Sequence, residues 1–227
     1  MTQSHPTRRS SGKISRRALL VEGLAAAGIG AAGAVLRDYL DQRSRKARVF
    51  IGKAASYNAD LVTLLADGFR SLGIGPGEIR GKRILLKPNF VETMPGTFHI
   101  CTRPEVVFAA VEVFRKLGAA AVLVGEGPGH CRDTTRVLEE AGMAEALVEH
   151  KTPFVDLNND DLIVRPNAGR IRVPGAPPAT DGEDPRDTWL ATLTFPATLD
   201  QVDWVVSMPK MKTHHWLGVT LSMKNLF

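Results

Sequence analysis

Two lysines, a threonine and two histidines crowd the stretch Pro209-Lys210-Met211-Lys212-Thr213-His214-His215, directly after the apolar run Val205-Val206-Ser207-Met208. Lysine supplies point charge, threonine an orientable hydroxyl, and histidine a proton that moves near neutral pH. No acidic residue follows Asp203, so the cluster reads as a holder of something anionic, with His214 able to transfer a proton. Two other segments share this character, Lys87-Pro88-Asn89 and Gly125-Glu126-Gly127. Gly125 and Gly127 let backbone N–H groups approach an anion, and Asn89 adds hydrogen bonds. Glu126 is the carboxylate placed for acid–base work or for holding a cation. It would equally serve by answering Lys87 or Lys210 across the same rim.

The two cysteines fall in His99-Ile100-Cys101 and His130-Cys131. Three readings stay open: a disulfide, a metal site using some of His99, Cys101, His130 and Cys131, or two unrelated thiols. The spacing lacks a C-x-x-C pair. Gly125-x-Gly127-x-Gly129 is not a dinucleotide fingerprint, no P-loop motif exists, and no Ser-His-Asp order or nucleophile elbow is legible. His215 beside Trp216 reads as packing.

The elements that must position these residues follow from apolar periodicity. Val49 to Gly52 is a short strand candidate. Asn58 caps a helical pattern through Leu61, Leu64, Leu65 and Phe69 that ends at Gly73. Arg83 to Lys87 is a buried strand halted by Pro88. Thr102-Arg103-Pro104-Glu105 has capping-box spacing ahead of the stripe Val106, Val107, Ala110, Val111, Phe114, Leu117. Ala121 to Val124 is the next strand, Asp133 opens a helix broken at Gly142 and resumed to His150, and Phe154 to Leu157 is a third strand. Leu190 to Phe195 and Val202 to Ser207 return to strand patterns. The β-α-β-α-β order predicts an α/β fold with a mainly parallel sheet and helices on both faces, plus an irregular hairpin excursion over 158–187. Ligands of such sheets sit beyond the carboxyl ends of the strands, where all three polar segments fall.

A chain of 227 residues, 44% hydrophobic, suits one domain of roughly 150–200 residues with an appendage. Residues 1–48 hold 10 Lys/Arg and 3 Asp/Glu (+7), whereas residues 49–227 hold 19 and 21 (−2). The basic balance belongs to the N-terminal segment, which argues against a nucleic-acid surface on the body. In that segment Arg16-Arg17 precede a weakly apolar run, Val21 to Leu36, with an A-x-A-like site at Ala32-Gly33-Ala34. The pair resembles the twin-arginine export signal, which implies the twin-arginine translocation machinery as a partner and a periplasmic or cell-envelope location. Leu19, where phenylalanine is common, and Glu22 inside the run depart from that pattern. A membrane tether is the competing reading, against which Glu22 weighs roughly 2.5–3.5 kcal/mol near a helix centre. The expected organisation is therefore a signal or anchor at 1–36, a charged linker at 37–48 and one α/β domain at 49–227.

Lys87-Pro88-Asn89, Thr102-Arg103-Pro104-Glu105-Val106-Val107, Gly125-Glu126-Gly127-Pro128-Gly129, Asp156-Leu157-Asn158 and Met208-Pro209-Lys210-x-Lys212-Thr213-His214 through Lys224-Asn225-Leu226-Phe227 together resemble the domain of unknown function 362 family. The resemblance covers roughly residues 49–227 and adds Thr102, Lys224 and Asn225 to the candidate ligand-binding set. It implies possible association with iron–sulfur modules, although two cysteines cannot hold a four-cysteine cluster. Relatives continue past Lys-Asn-Leu-Phe, so the resemblance also implies a truncated or partial chain. A looser similarity, to the N-terminal part of nickel-dependent lactate racemase-like proteins, would imply a metal- or cofactor-assisted enzyme acting on a small acid. The function expected is an exported protein binding an anionic small molecule or cofactor on the Lys/His rim. The alternative is a non-catalytic redox, iron–sulfur or metal-handling accessory protein of the envelope. The sequence decides neither the cofactor nor whether the protein is an enzyme.

Overall fold

Helix α1 (Leu61–Leu72) starts at Asp60, whose carboxylate accepts the Thr63 N–H at 2.9 Å, and stops at Gly73 in the left-handed region with φ 79°. Asp60 and not Asn58 is the cap, because the side chain must lie one residue before the first helical turn to reach its free N–H groups. Val49 to Gly52 forms no strand. Phe50 instead lies against Gly68, where an added Cβ would come 2.7 Å from its ring.

The computed structural model describes residues 47–91, 98–129, 133–167, 192–214, 216 and 218–226. Met1–Val49 and Phe50–Phe227 are two separate units, and all described helices and strands belong to the second. After α1 come the short α2 (Pro76–Ile79), β1 (Arg83–Pro88), α3 (Pro104–Lys116), β2 (Ala121–Glu126), α4 (Thr134–Glu140), α5 (Met143–Glu149), β3 (Phe154–Asp156), β4 (Leu162–Pro166), β5 (Thr192–Pro196), β6 (Trp204–Met208), β7 (Lys212–His214) and β8 (Gly218–Thr220). Asp133 caps α4, and Gly142 at φ 68° separates it from α5. The expected capping box before α3 is absent: its N-cap is Arg103, with no side-chain cap bond. Thr102 uses its hydroxyl elsewhere, and Glu105 turns to Arg103 at 2.7 Å.

The main sheet has the order β3-β2-β1-β6 and is parallel throughout, which confirms the α/β class. Alternation along β1 sends Ile84 and Leu86 to one face and Leu85 to the other, and all three are fully buried. Buried residues of the helices, among them Val107, Val111, Phe114, Val137, Met143 and Leu147, join Ile84, Leu86, Val122 and Val124 in a single core. Near-continuous burial on both faces explains why β1 and β2 read as unbroken apolar runs. In the expected excursion, Leu162–Pro166 pairs antiparallel with Thr192–Pro196; residues 168–191 lie outside those described. Ile84 pairs with Trp204, Pro88 with Met208, and Leu86 with Val124. Parallel pairing in that register makes β1, β2 and β6 end abreast, which brings the three polar segments to one rim.

Candidate anion-binding rim

At the end of β2, Glu126 is almost wholly buried. Its carboxylate pairs with the Lys87 ammonium and accepts the Phe90 and Gly127 N–H groups at 3.2 Å each. Burial pushes its proton affinity up, and the Lys87 charge works against that. Of the roles open to Glu126 in the sequence, the structure displays the answering of Lys87. The pair ties the β1 end to the β2 end and fixes the first turn of the loop after β1.

Thr102 performs the same task between β1 and β6. Its hydroxyl accepts the Asn89 N–H at 2.9 Å and donates to the Met208 carbonyl at 2.7 Å, while its own N–H reaches the Asn89 carbonyl at 3.0 Å. Asn225 is a third clasp, donating from Nδ2 to the Lys87 carbonyl at 3.0 Å and to Ser207 Oγ at 3.2 Å. The buried Oδ1 atoms of Asn89 and Asn225 have no hydrogen-bond partner among the described residues. Gly125 and Gly127 are needed because the protein itself approaches closely. A Cβ on Gly125 would lie 2.8 Å from Leu85 Cδ1, and one on Gly127 would lie 2.3 Å from Asn158 Oδ1.

Beyond β6 the lysines lie differently. Lys212 is half-buried and donates from Nζ to the Ile100 carbonyl at 2.6 Å. Burial lowers its proton affinity; the neighbouring charges of Lys224 and Lys210 lower it further, opposed by Cys101 and Glu126. Lys210 donates to the Tyr57 hydroxyl at 2.7 Å and stands 5.2 Å from the centre of that ring, which also has the Arg103 guanidinium 5.3 Å away. Among the described residues, no carboxylate pairs with Lys210, Lys212 or Lys224. Positive charge thus gathers here with no directly paired carboxylate among the described residues.

Lys87, Asn89, Thr102, Glu126, Gly125, Gly127, Lys210, Lys212, Lys224 and Asn225 thus come to one end of the sheet. His214 closes β7 and accepts the Trp216 N–H on Nδ1 at 3.2 Å, and Thr213 beside it is exposed. Cys101 is a free, buried thiol whose proton affinity burial raises, and His99 is exposed. His130, Cys131, His215, Arg16 and Arg17 lie outside the described residues. Among those described, no group of three His, Cys, Asp or Glu side chains is placed to hold a metal ion. Nor, among them, is any helix long and apolar enough to cross a membrane. Sequence reasoning missed Tyr57, which lies 153 residues from Lys210 in a segment with no polar pattern, and Ser207, hidden inside a strand.

Residues 84–227, more than half of the chain, match the family described as Domain of unknown function (DUF362). The chain belongs to that family. It is also similar to a thylakoid-associated protein of Synechocystis sp., 31% identical over 177 residues, a span covering 77% of this chain and 46% of that relative. The aligned part is thus less than half of the relative's length. No solved structure matches.

Removing Lys87 would leave the Glu126 charge buried and unpaired. Lys87→Met is expected to lower stability by about 3–5 kcal/mol near neutral pH. The raised Glu126 pKa means that the folded state holds this proton more tightly than the unfolded chain. The variant's deficit should therefore shrink as pH falls toward the ordinary carboxyl value of about 4.3. Urea denaturation at pH 7 and pH 4 checks this; an equal deficit at both would show that the pair's charge does not matter.

Proposed function

We propose that this protein is exported and binds an anionic small molecule or cofactor at the carboxyl ends of β1, β2 and β6, with Lys212, Lys210 and Lys224 as its cationic contacts. One observation carries the reading. Glu126 is already engaged with Lys87, whereas Lys212 sits half-buried beside Lys224 and Lys210 and, among the described residues, hydrogen-bonds a neutral carbonyl. A half-buried ammonium beside two others is destabilised, and a negatively charged ligand reverses that by Coulomb attraction and charge-assisted hydrogen bonds. The bare Oδ1 atoms of Asn89 and Asn225 suit an O–H or N–H on the same ligand. Lys87 and Thr102 serve the site by holding the strand ends in register. His214 remains the candidate for proton transfer.

Loss of one charged hydrogen-bond donor weakens a contact by about 1.5–3 kcal/mol, which is roughly tenfold to a hundredfold in affinity. Titration of the purified full chain with inorganic phosphate and pyrophosphate should show saturable binding, weakened by that factor in Lys210→Ala and in Lys212→Ala. Unchanged affinity in both variants would discard the reading.

Location rests on Arg16-Arg17 and the apolar run that follows. The relative's thylakoid association supports a place at or near a membrane. Replacing both arginines with lysine should leave the protein in the cytoplasmic fraction of its host; undiminished export would refute a twin-arginine route.

A further inference from the structure

The lysines at the carboxyl end of the sheet differ in what their nitrogens can do. Lys87 is tied to the Glu126 carboxylate, which holds it as an ammonium with no lone pair to offer. Lys210 donates to the Tyr57 hydroxyl and lies against that ring, and an aromatic face also favours the charged form. Lys212 is placed differently. It is half-buried, and its Nζ is aimed by the 2.6 Å hydrogen bond to the Ile100 carbonyl. Burial acts most strongly against its charge; Lys224 and Lys210 add to that, and Cys101 and Glu126 oppose it. Desolvation beside other cations is what turns a lysine amine into a nucleophile, because it raises the share of the neutral form.

The ribbon of β7 and β8 surrounds this amine with polar groups. Lys212 pairs with Thr220 and His214 with Gly218. Residues directly opposite share a face, and so do alternate residues along a strand. Lys212, His214 and Thr220 therefore share one face, and it turns inward. Thr220 is 1% exposed, and its Oγ1 has no hydrogen-bond partner among the described residues. The same holds for Oδ1 of Asn225 and of Asn89, which is joined through Thr102 to the segment carrying the Ile100 carbonyl. A fully ionised anion brings acceptors only. These oxygens call for an O–H or N–H beside the negative group.

We infer that Lys212 forms a Schiff base with a small aldehyde or ketone that carries a carboxylate or phosphate. The inference rests on the anion-binding reading of the rim and adds a reaction to it. Lys210 and Lys224 hold the anionic group, which brings the carbonyl carbon to Nζ. The ammonium gives up a proton, and the amine lone pair forms the C–N bond while the C=O π pair moves onto oxygen. A second proton passes from nitrogen to that oxygen, and the resulting carbinolamine supplies the O–H that the bare oxygens lack. The first proton then returns to the hydroxyl, which leaves as water as the nitrogen lone pair closes the C=N bond. Ammonium plus carbonyl thus gives iminium plus water, with nothing oxidised or reduced. The iminium keeps one N–H for the Ile100 carbonyl.

The test uses the full chain with pyruvate as the carboxylate and dihydroxyacetone phosphate as the phosphate. Each mixture is reduced with cyanoborohydride and the labelled lysines are mapped by mass spectrometry. Lys212 should be labelled at least about tenfold faster than the exposed Lys53, because the held anion keeps the carbonyl beside the amine. Excess inorganic phosphate should suppress the labelling, and Lys210→Ala should slow it about tenfold, the loss of one charged contact. Methyl pyruvate, the same ketone without the charge, should prefer Lys212 no more than Lys53. Preferential labelling by either anionic probe supports the inference and tells which anionic group the site takes. If neither labels Lys212 faster than Lys53, the inference is overturned; phosphate binding that still depends on Lys210 and Lys212 would leave the anion site standing. Equal labelling by pyruvate and methyl pyruvate, unaffected by phosphate, overturns both readings, since the lysine would then react without an anion site.

Discussion

A buried carboxylate cannot stay charged without compensation, and at the end of β2 that constraint organises the neighbourhood. Glu126 is met by the Lys87 ammonium and two backbone N–H groups, which fixes where the chain goes after β1. The Thr102 hydroxyl then joins β1 to β6, and the Asn225 amide spans the same two strands. Because the sheet is parallel, all these clasps fall at one end of the molecule. The ion pair also commits the Glu126 carboxylate to Lys87, although its charge still acts on Lys212. Lys212, Lys210 and Lys224 have no carboxylate partner among the described residues, and these are the contacts proposed for the anion.

Much of this was legible in the sequence, for physical reasons. Strands buried on both faces appear as runs such as Ile84-Leu85-Leu86 and Val122-Leu123-Val124, and a proline or glycine marks where each stops. From that alternation with helices, a parallel sheet and a shared rim follow. What periodicity could not supply was the destination of individual polar side chains. Thr102 and Glu105 have the spacing of a capping box, yet Thr102 turns to Asn89 and Met208, and Glu105 pairs with Arg103. Asn58 and Asp60 are both competent caps, and only the position of the first helical turn decides between them. Tyr57 gains its meaning from Lys210, far along the chain, and no local pattern encodes that. The strands Lys212–His214 and Gly218–Thr220 have no signature in the sequence, because strands of three residues carry too few alternations to be seen.

Family membership does not by itself define chemistry, because function lives in sites and not in folds. The site presented here is asymmetric. One half is saturated by the protein's own groups and holds the strands together. The other half holds the half-buried Lys212 and the Oδ1 atoms of Asn89 and Asn225, which have no hydrogen-bond partner among the described residues, and it is there that the proposed anion would sit. Such local disagreement with stability is what functional sites ordinarily show.

The account turns on Lys212 being an ammonium held at a disadvantage until an anion joins it. Its side-chain pKa, followed by NMR in the full chain with selectively labelled lysine and assigned by comparison with Lys212→Arg, tests this most directly. Without added anion it should lie below the ordinary lysine value of about 10.4, and saturating phosphate should move it upward. A Lys212 that titrates at the ordinary value and ignores phosphate would contradict the account.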